Sequence, residues 1–116
     1  MILKTAAVDA VLREALQPME GIELALLYGS FAKGKATSRS DLDLMIIGDV
    51  TDRALAPVPA KAEEFLGREV SYTRYPREEA RAKNRRRSSF VRSVFVGPSL
   101  LVLGDGDDEL FTLARR

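Results

Sequence analysis

At 116 residues the chain has the length of one domain, and 46% apolar residues are enough to bury a core. It has no cysteine and no histidine, which excludes disulfides, thiolate or imidazole metal sites, and Cys- or His-based catalysis, so acid–base work falls to carboxylates or metal-bound water. The net charge of +1 hides an asymmetry: residues 74–92 carry eight basic and two acidic residues, a local +6 that leaves −5 elsewhere and attracts polyanions.

Residues 5–17 read as a helix, with Val8, Val11, Leu12, Ala15 and Leu16 on one face and Pro18 as its stop. No apolar run reaches transmembrane length, and this amphipathic start is unlike a signal segment. The expectation is a cytoplasmic protein without membrane contact. Residues 19–21 turn the chain. Residues 22–28 form a nearly continuous apolar run, which predicts a central strand covered on both faces, with Glu23 at its start in solvent.

Tyr28-Gly29-Ser30-Phe31-Ala32-Lys33-Gly34 leaves that strand. Gly29 permits a sharp turn and lets a ligand approach with no Cβ in the way. The pattern predicts a short helix over 30–33, whose free N–H groups suit a phosphate. Lys33, Lys35 and Arg39 surround the loop, either as phosphate contacts or as ordinary solvated charge. Ser38 and Ser40 can hydrogen-bond the loop backbone.

Residues 41–47 form the second strand. Asp41 and Asp43 stand at i and i+2, so both point to one face, while Leu42 and Leu44 point to the core. A solvated strand start explains one aspartate well and two on the same face poorly. Two such carboxylates repel, and a hard cation with oxygen ligands removes the repulsion, Mg²⁺ beside substrate phosphates being the usual case. Phosphate cradle plus paired carboxylates reads as nucleoside triphosphate chemistry. The same stretch also fits G-x-x-x-x-G-K, but a P-loop needs Ser or Thr where Ala36 stands and a long helix where residues 37–41 read as loop. That reading is set aside.

Residues 48–51 turn, and Thr51 or Asp52 can cap a helix. Pro57 and Pro59 divide the next stretch into two short helices, 52–56 and 58 or 60 to 66, the second ended by Gly67. Residues 68–75 are the third strand, with Val70 and Tyr72 on one face and Glu69, Ser71 and Thr73 on the other. Residues 76–84 read as a helix with Pro76 at its start and Glu78 and Glu79 near the positive dipole end. Arg85, Arg86 and Arg87 come after it, and Ser88 and Ser89 cap a short helix carrying Phe90, Val91, Val94 and Phe95. This basic run reads as a grip for RNA, a nucleotide or an acidic protein, or as a solvated face. The lack of aromatics within 81–89 argues against single-strand binding. A short buried strand at 99–103 and a helix at 107–114 complete the chain. Asp105, Asp107 and Asp108 lack the Gly and Glu of a calcium loop and read as caps. The apolar runs predict an α/β domain with about four strands, in helix-strand-helix-strand order at its start.

Gly29-Ser30, Gly34 and Ser40-Asp41-x-Asp43 resemble the signature of the DNA polymerase beta-like nucleotidyltransferase superfamily, and within it the minimal nucleotidyltransferases. The resemblance implies one α/β (α+β) domain over 1–116, a mixed sheet flanked by helices. It implies transfer of an NMP group from a nucleoside triphosphate, ATP first, to an acceptor hydroxyl with two Mg²⁺ ions. Asp41 and Asp43 would be the catalytic metal ligands, and Gly29, Ser30, Lys33 and Arg39 the nucleotide contacts. In catalytically complete members a third carboxylate comes from the third strand. Alignment puts Ser71 at that position, with Glu69 two residues earlier as the substitute metal ligand. The alternative is therefore a catalytically weak or inactive nucleotide-binding module that acts with a helical protein partner, as an antitoxin-like subunit or regulator. A homodimer is the remaining partner expectation.

Overall fold

The computed structural model describes residues 2–34 and 41–114. Helix α1 (Ile2–Leu16) is followed by β1 (Ile22–Tyr28) and β2 (Leu42–Gly48). Two short helices, α2 (Asp52–Leu55) and α3 (Pro57–Leu66), lead to β3 (Val70–Tyr75). Then come α4 (Arg77–Asn84), α5 (Phe90–Val96), β4 (Leu100–Leu103) and α6 (Glu109–Ala114). The four strands form one sheet in the order β3-β2-β1-β4. β1 runs antiparallel to β2 and β4, and β2 runs parallel to β3, so the sheet is mixed as expected. Among the described residues no helix is long and apolar enough to cross a membrane.

The central strands are apolar throughout because both faces are covered. On one face Leu27, Leu44 and Ile46 pack with Leu12 and Leu16 of α1, Leu55 of α2, and Val58 and Ala62 of α3. On the other, Leu24, Leu26, Met45 and Ile47 pack with Ala80, Val91, Phe95 and Leu110 from α4, α5 and α6. Each fully buried leucine contributes about 2 kcal/mol of transfer free energy. Local signals set the ends of the helices. Thr51 accepts a hydrogen bond from the Ala54 amide, and Ser89 from the Arg92 amide. Gly67, at φ +66°, closes α3 by donating to the Glu63 carbonyl. Pro57 opens α3 at its first position, where its missing N–H costs nothing.

Three expectations need correction. The helix at 30–33 is a pair of hydrogen-bonded turns: Lys33 N–H donates to the Gly29 carbonyl (3.1 Å) and Gly34 N–H to that of Phe31 (3.2 Å). One turn is a poor helix nucleus, and Gly34 in a left-handed conformation (φ +72°) ends it. The chain therefore opens, among the described residues, as α1-β1-turn-β2. Next, the third strand starts at Val70, leaving Arg68 and Glu69 ahead of it. Lastly, Glu23 is not merely solvated but accepts a hydrogen bond from Arg77.

Arg77 ties three elements together. From α4 it reaches Glu23 on β1 and makes a two-pronged contact with Asp108 (3.0 and 2.6 Å) ahead of α6. Asp108 also accepts from the Leu110 amide, which explains the late acids as caps. Arg81 bonds Glu78 and Glu109, and Arg74 bonds Asp52 of α2 at 2.8 and 3.1 Å. Much of the charge in 74–92 is thus neutralised within the fold.

The Arg77 contact holds the Asp108 carboxyl below its usual range. A carboxylate with a lowered folded pKa stabilises above its unfolded value, near ~4, and loses that contribution as the pH falls through the folded value. Arg77→Ala should cost on the order of 2 kcal/mol at pH 7, less than a fully buried pair because Arg77 keeps part of its side chain in water. The cost should shrink at pH 3. Urea denaturation at both pH values tests this; an equal cost at both would show that the pair does not supply the pH dependence.

Candidate active site

Antiparallel pairing sets Tyr28 opposite Asp43. Gly29 comes next with φ +78°, a backbone conformation that L side chains rarely adopt. A Cβ on Gly29 would stand 2.5 Å from Asp43 Oδ2. Glycine is therefore needed twice here, for the turn and for the close approach to the carboxylate. Asp41 lies exposed just ahead of β2, and Asp43 is partly buried on it. Alternation puts both on the face shared with Met45 and Ile47, the side covered by α4, α5 and α6.

Burial, and then the charge of Asp41, push the Asp43 carboxyl above its usual range. Burial, and then the charge of Asp43, likewise raise the Tyr28 phenol. The pair is electrostatically unfavourable as it stands. Its donors are all oxygens, and Gly29 leaves open the space over Asp43 that any side chain would fill. These residues fit a hard divalent cation whose other ligands are water or phosphate oxygens. Among the described residues no group of three Asp or Glu side chains is placed to hold a metal alone.

The parallel register explains why. Ser71 of β3 stands directly beside Asp43. Leu42 pairs with Val70, and its amide donates to the Glu69 carbonyl at 2.9 Å, so one step back sets Glu69 beside Asp41. Ser71 thus occupies the position expected for a third carboxylate, and Glu69 keeps the same face two residues earlier. Gly29 and Ser30 form the turn beside the carboxylates. Lys33 is exposed, its amide held by the Gly29 carbonyl. Arg39, with Lys35, Ser38 and Ser40, lies outside the described residues.

Several site residues were not singled out from sequence. The Tyr28 ring packs edge-on against Phe90, centroids 5.3 Å apart. Thr73 and Tyr75 continue the Ser71 face of β3 toward a cleft bordered by Phe90 and Lys83. The signal for Tyr28 was its place beside Gly29, and for Thr73 and Tyr75 their parity with Ser71. The contact with Phe90 crosses 62 positions of chain and left no local signal. A larger hollow, about 700 Å³, is an open trough along the β3 edge, where Arg74 is already bonded to Asp52.

The sequence matches the family described as nucleotidyltransferase domain over residues 10–96. No curated protein matches it. Among solved structures, a toxin–antitoxin with AMP-PNP is 20% identical, with a TM-score of 0.66, covering 90% of this chain and 81% of that one. A toxin–antitoxin MntA–HpeT pair carrying two Asp-to-Glu substitutions is 17% identical, with a TM-score of 0.65 over the same shares. A tri-AMPylated Shewanella oneidensis HEPN toxin in complex with its MNT antitoxin is 17% identical, with a TM-score of 0.60, covering 91% and 78%. At these identities the structures establish a shared fold.

A carboxylate with a raised folded pKa costs stability as the pH rises through that value. Asp43→Asn should therefore melt higher than wild type at pH 7 without divalent cations, and the gain should vanish below about pH 4. Gly29→Ala should be destabilised by about 1–2 kcal/mol from backbone strain alone, with the clash added. Thermal melts of both variants test this. A wild-type-like melt for Gly29→Ala would contradict the close approach, and a lower melt for Asp43→Asn would contradict the repulsion.

Proposed function

The chain belongs to the nucleotidyltransferase domain family, and from that premise we propose that it transfers an NMP group from a nucleoside triphosphate, ATP foremost, to an acceptor hydroxyl. The observation that carries this is the Asp41–Asp43 pair at one strand end, pressed against the Gly29 turn of its neighbour. Gly29 and Ser30 offer backbone to the β- and γ-phosphates, and Lys33 and Arg39 neutralise their charge. Asp41 and Asp43 hold two Mg²⁺ ions, and Glu69 beside Asp41 adds an oxygen donor. When bound, the ions supply charge neutralisation and orientation at the α-phosphate.

The acceptor oxygen bonds to the α-phosphorus, the bond to the β-phosphate oxygen breaks, and pyrophosphate leaves. The hydroxyl proton goes to solvent. With no histidine in the chain, its side chains act mainly by positioning and charge. The structural neighbour with AMP-PNP supports an adenine nucleotide, and the AMPylated toxin held by its antitoxin supports a protein partner.

Ser71 favours a second reading. A hydroxyl beside Asp43 is a weak ligand and no base, which suits a module that binds nucleotide, transfers slowly, and acts through a helical partner. Restoring the carboxylate separates the two readings. Calorimetry should show Mg²⁺-dependent ATP binding that Asp41→Asn weakens by at least ~10-fold, worth about 1.4 kcal/mol. Ser71→Asp should raise transfer of labelled AMP by on the order of 10²-fold if the missing ligand limits chemistry. Unchanged transfer in Ser71→Asp leaves the slow-module reading without support. Unchanged ATP binding in Asp41→Asn removes the site itself.

A further inference from the structure

A cleft of about 270 Å³ lies between the α4–α5 turn and the face of the sheet that carries Asp43. Its walls include Tyr75, Lys83, Arg86, Ser88 and Phe90. Tyr75 stands four residues beyond Ser71 on the same face of β3, about 13 Å along the strand. Phe90 packs on Tyr28, which pairs with Asp43, so one aromatic pair separates the cleft from the carboxylates. Gly29 leaves β1 at the Ser71 end of the sheet, whereas Tyr75 is at the other end of β3. Along β3, Tyr75 therefore carries the cleft away from the Gly29 turn, to which the nucleotidyl-transfer reading assigns the pyrophosphate end. In an in-line displacement the attacking and leaving oxygens lie on opposite sides of the phosphorus.

Its chemistry is selective. No carboxylate lines it. Arg74, Arg77 and Arg81 are neutralised by acids elsewhere in the fold, but among the described residues Arg86 has no carboxylate within ion-pair distance. The nearest for Lys83 is Glu79, at 3.9 Å. Between cleft and carboxylates, Thr73 Oγ1 is buried beside the Tyr28 hydroxyl, so this route is polar. The volume falls just below the ~300–1,000 Å³ of drug-sized sites, too small for a peptide segment or a duplex.

We propose that this cleft binds the acceptor, and that the acceptor is a small phosphate monoester carrying a free hydroxyl. The inference rests on the nucleotidyl-transfer reading. Lys83, Arg86 and Ser88 hold the phosphate, and the hydroxyl extends past Thr73 toward the α-phosphorus. The new bond joins the acceptor oxygen to that phosphorus, pyrophosphate leaves, the proton goes to solvent, and the product is a phosphodiester.

Ribose 5-phosphate, ribose and MgATP, titrated calorimetrically into wild type and a Lys83→Ser/Arg86→Ser variant, test it. Both side chains are partly or fully solvent-accessible, so the variant should fold, and circular dichroism checks that it does. Ribose 5-phosphate should bind wild type at least ~10-fold more tightly than ribose, and the variant should lose that preference while binding MgATP as before. Equal affinity for ribose and its phosphate in wild type would overturn the inference and leave the nucleotidyl-transfer reading intact. Loss of MgATP affinity in the variant would also overturn it, by assigning the cleft to the donor. A wild type that binds ribose 5-phosphate but not MgATP would instead remove the transfer reading, and the acceptor role with it.

Discussion

The antiparallel pairing of β1 with β2, covered on both faces, is the constraint on which the rest depends. It sets Tyr28 against Asp43 and brings the Gly29 turn onto the carboxylate. The alternation along β2 sends Leu44 and Ile46 into one core and Met45 and Ile47 into the other. A slip of one residue would exchange these sets and turn Asp43 toward α1, burying a charge among leucines. The apolar cost of that exchange is what keeps two repelling aspartates together. The fold thus holds an unfavourable pair in place with core burial, as functional sites commonly do.

The parallel partner β3 decides how complete that pair is. Its register leaves Ser71 where a third ligand would stand and carries Glu69 one step outward, beside Asp41. Neither residue alone matches a fully assembled metal centre. The two aspartates still offer an all-oxygen donor set with a cleared approach. A cation held there would complete its coordination with water or phosphate oxygens.

Charge is distributed with similar economy. Arg77 and Arg81 hold α4 to α6 and to β1, and Arg74 holds β3 to α2. These arginines act as structural ties, whose acids come from the rest of the chain. Within 74–92, Arg85, Arg86 and Arg87 at the α4–α5 turn have no carboxylate within ion-pair distance among the described residues. The +6 of the segment overstates the field it presents, and Arg86 lines the cleft on the sheet face that carries Asp43.

Local chemistry was enough to read the strands at 22–28 and 41–47, the caps at Thr51, Gly67 and Ser89, and the same-face pair Asp41 and Asp43. Each depends on alternation, turn chemistry or capping within a few residues. The helix over 30–33 failed because one turn flanked by glycines does not propagate. The place of Ser71 beside Asp43 follows the resemblance, whereas the partner of Glu23 and the packing of Phe90 on Tyr28 join residues 54 and 62 positions apart. No local pattern records such pairs. The sequence by itself determined which residues could carry the chemistry, since alternation and glycine conformation are local properties. Only the tertiary structure decided which of them meet, which arginines are neutralised and where the cleft opens, because register and packing are settled by burial of the whole sheet.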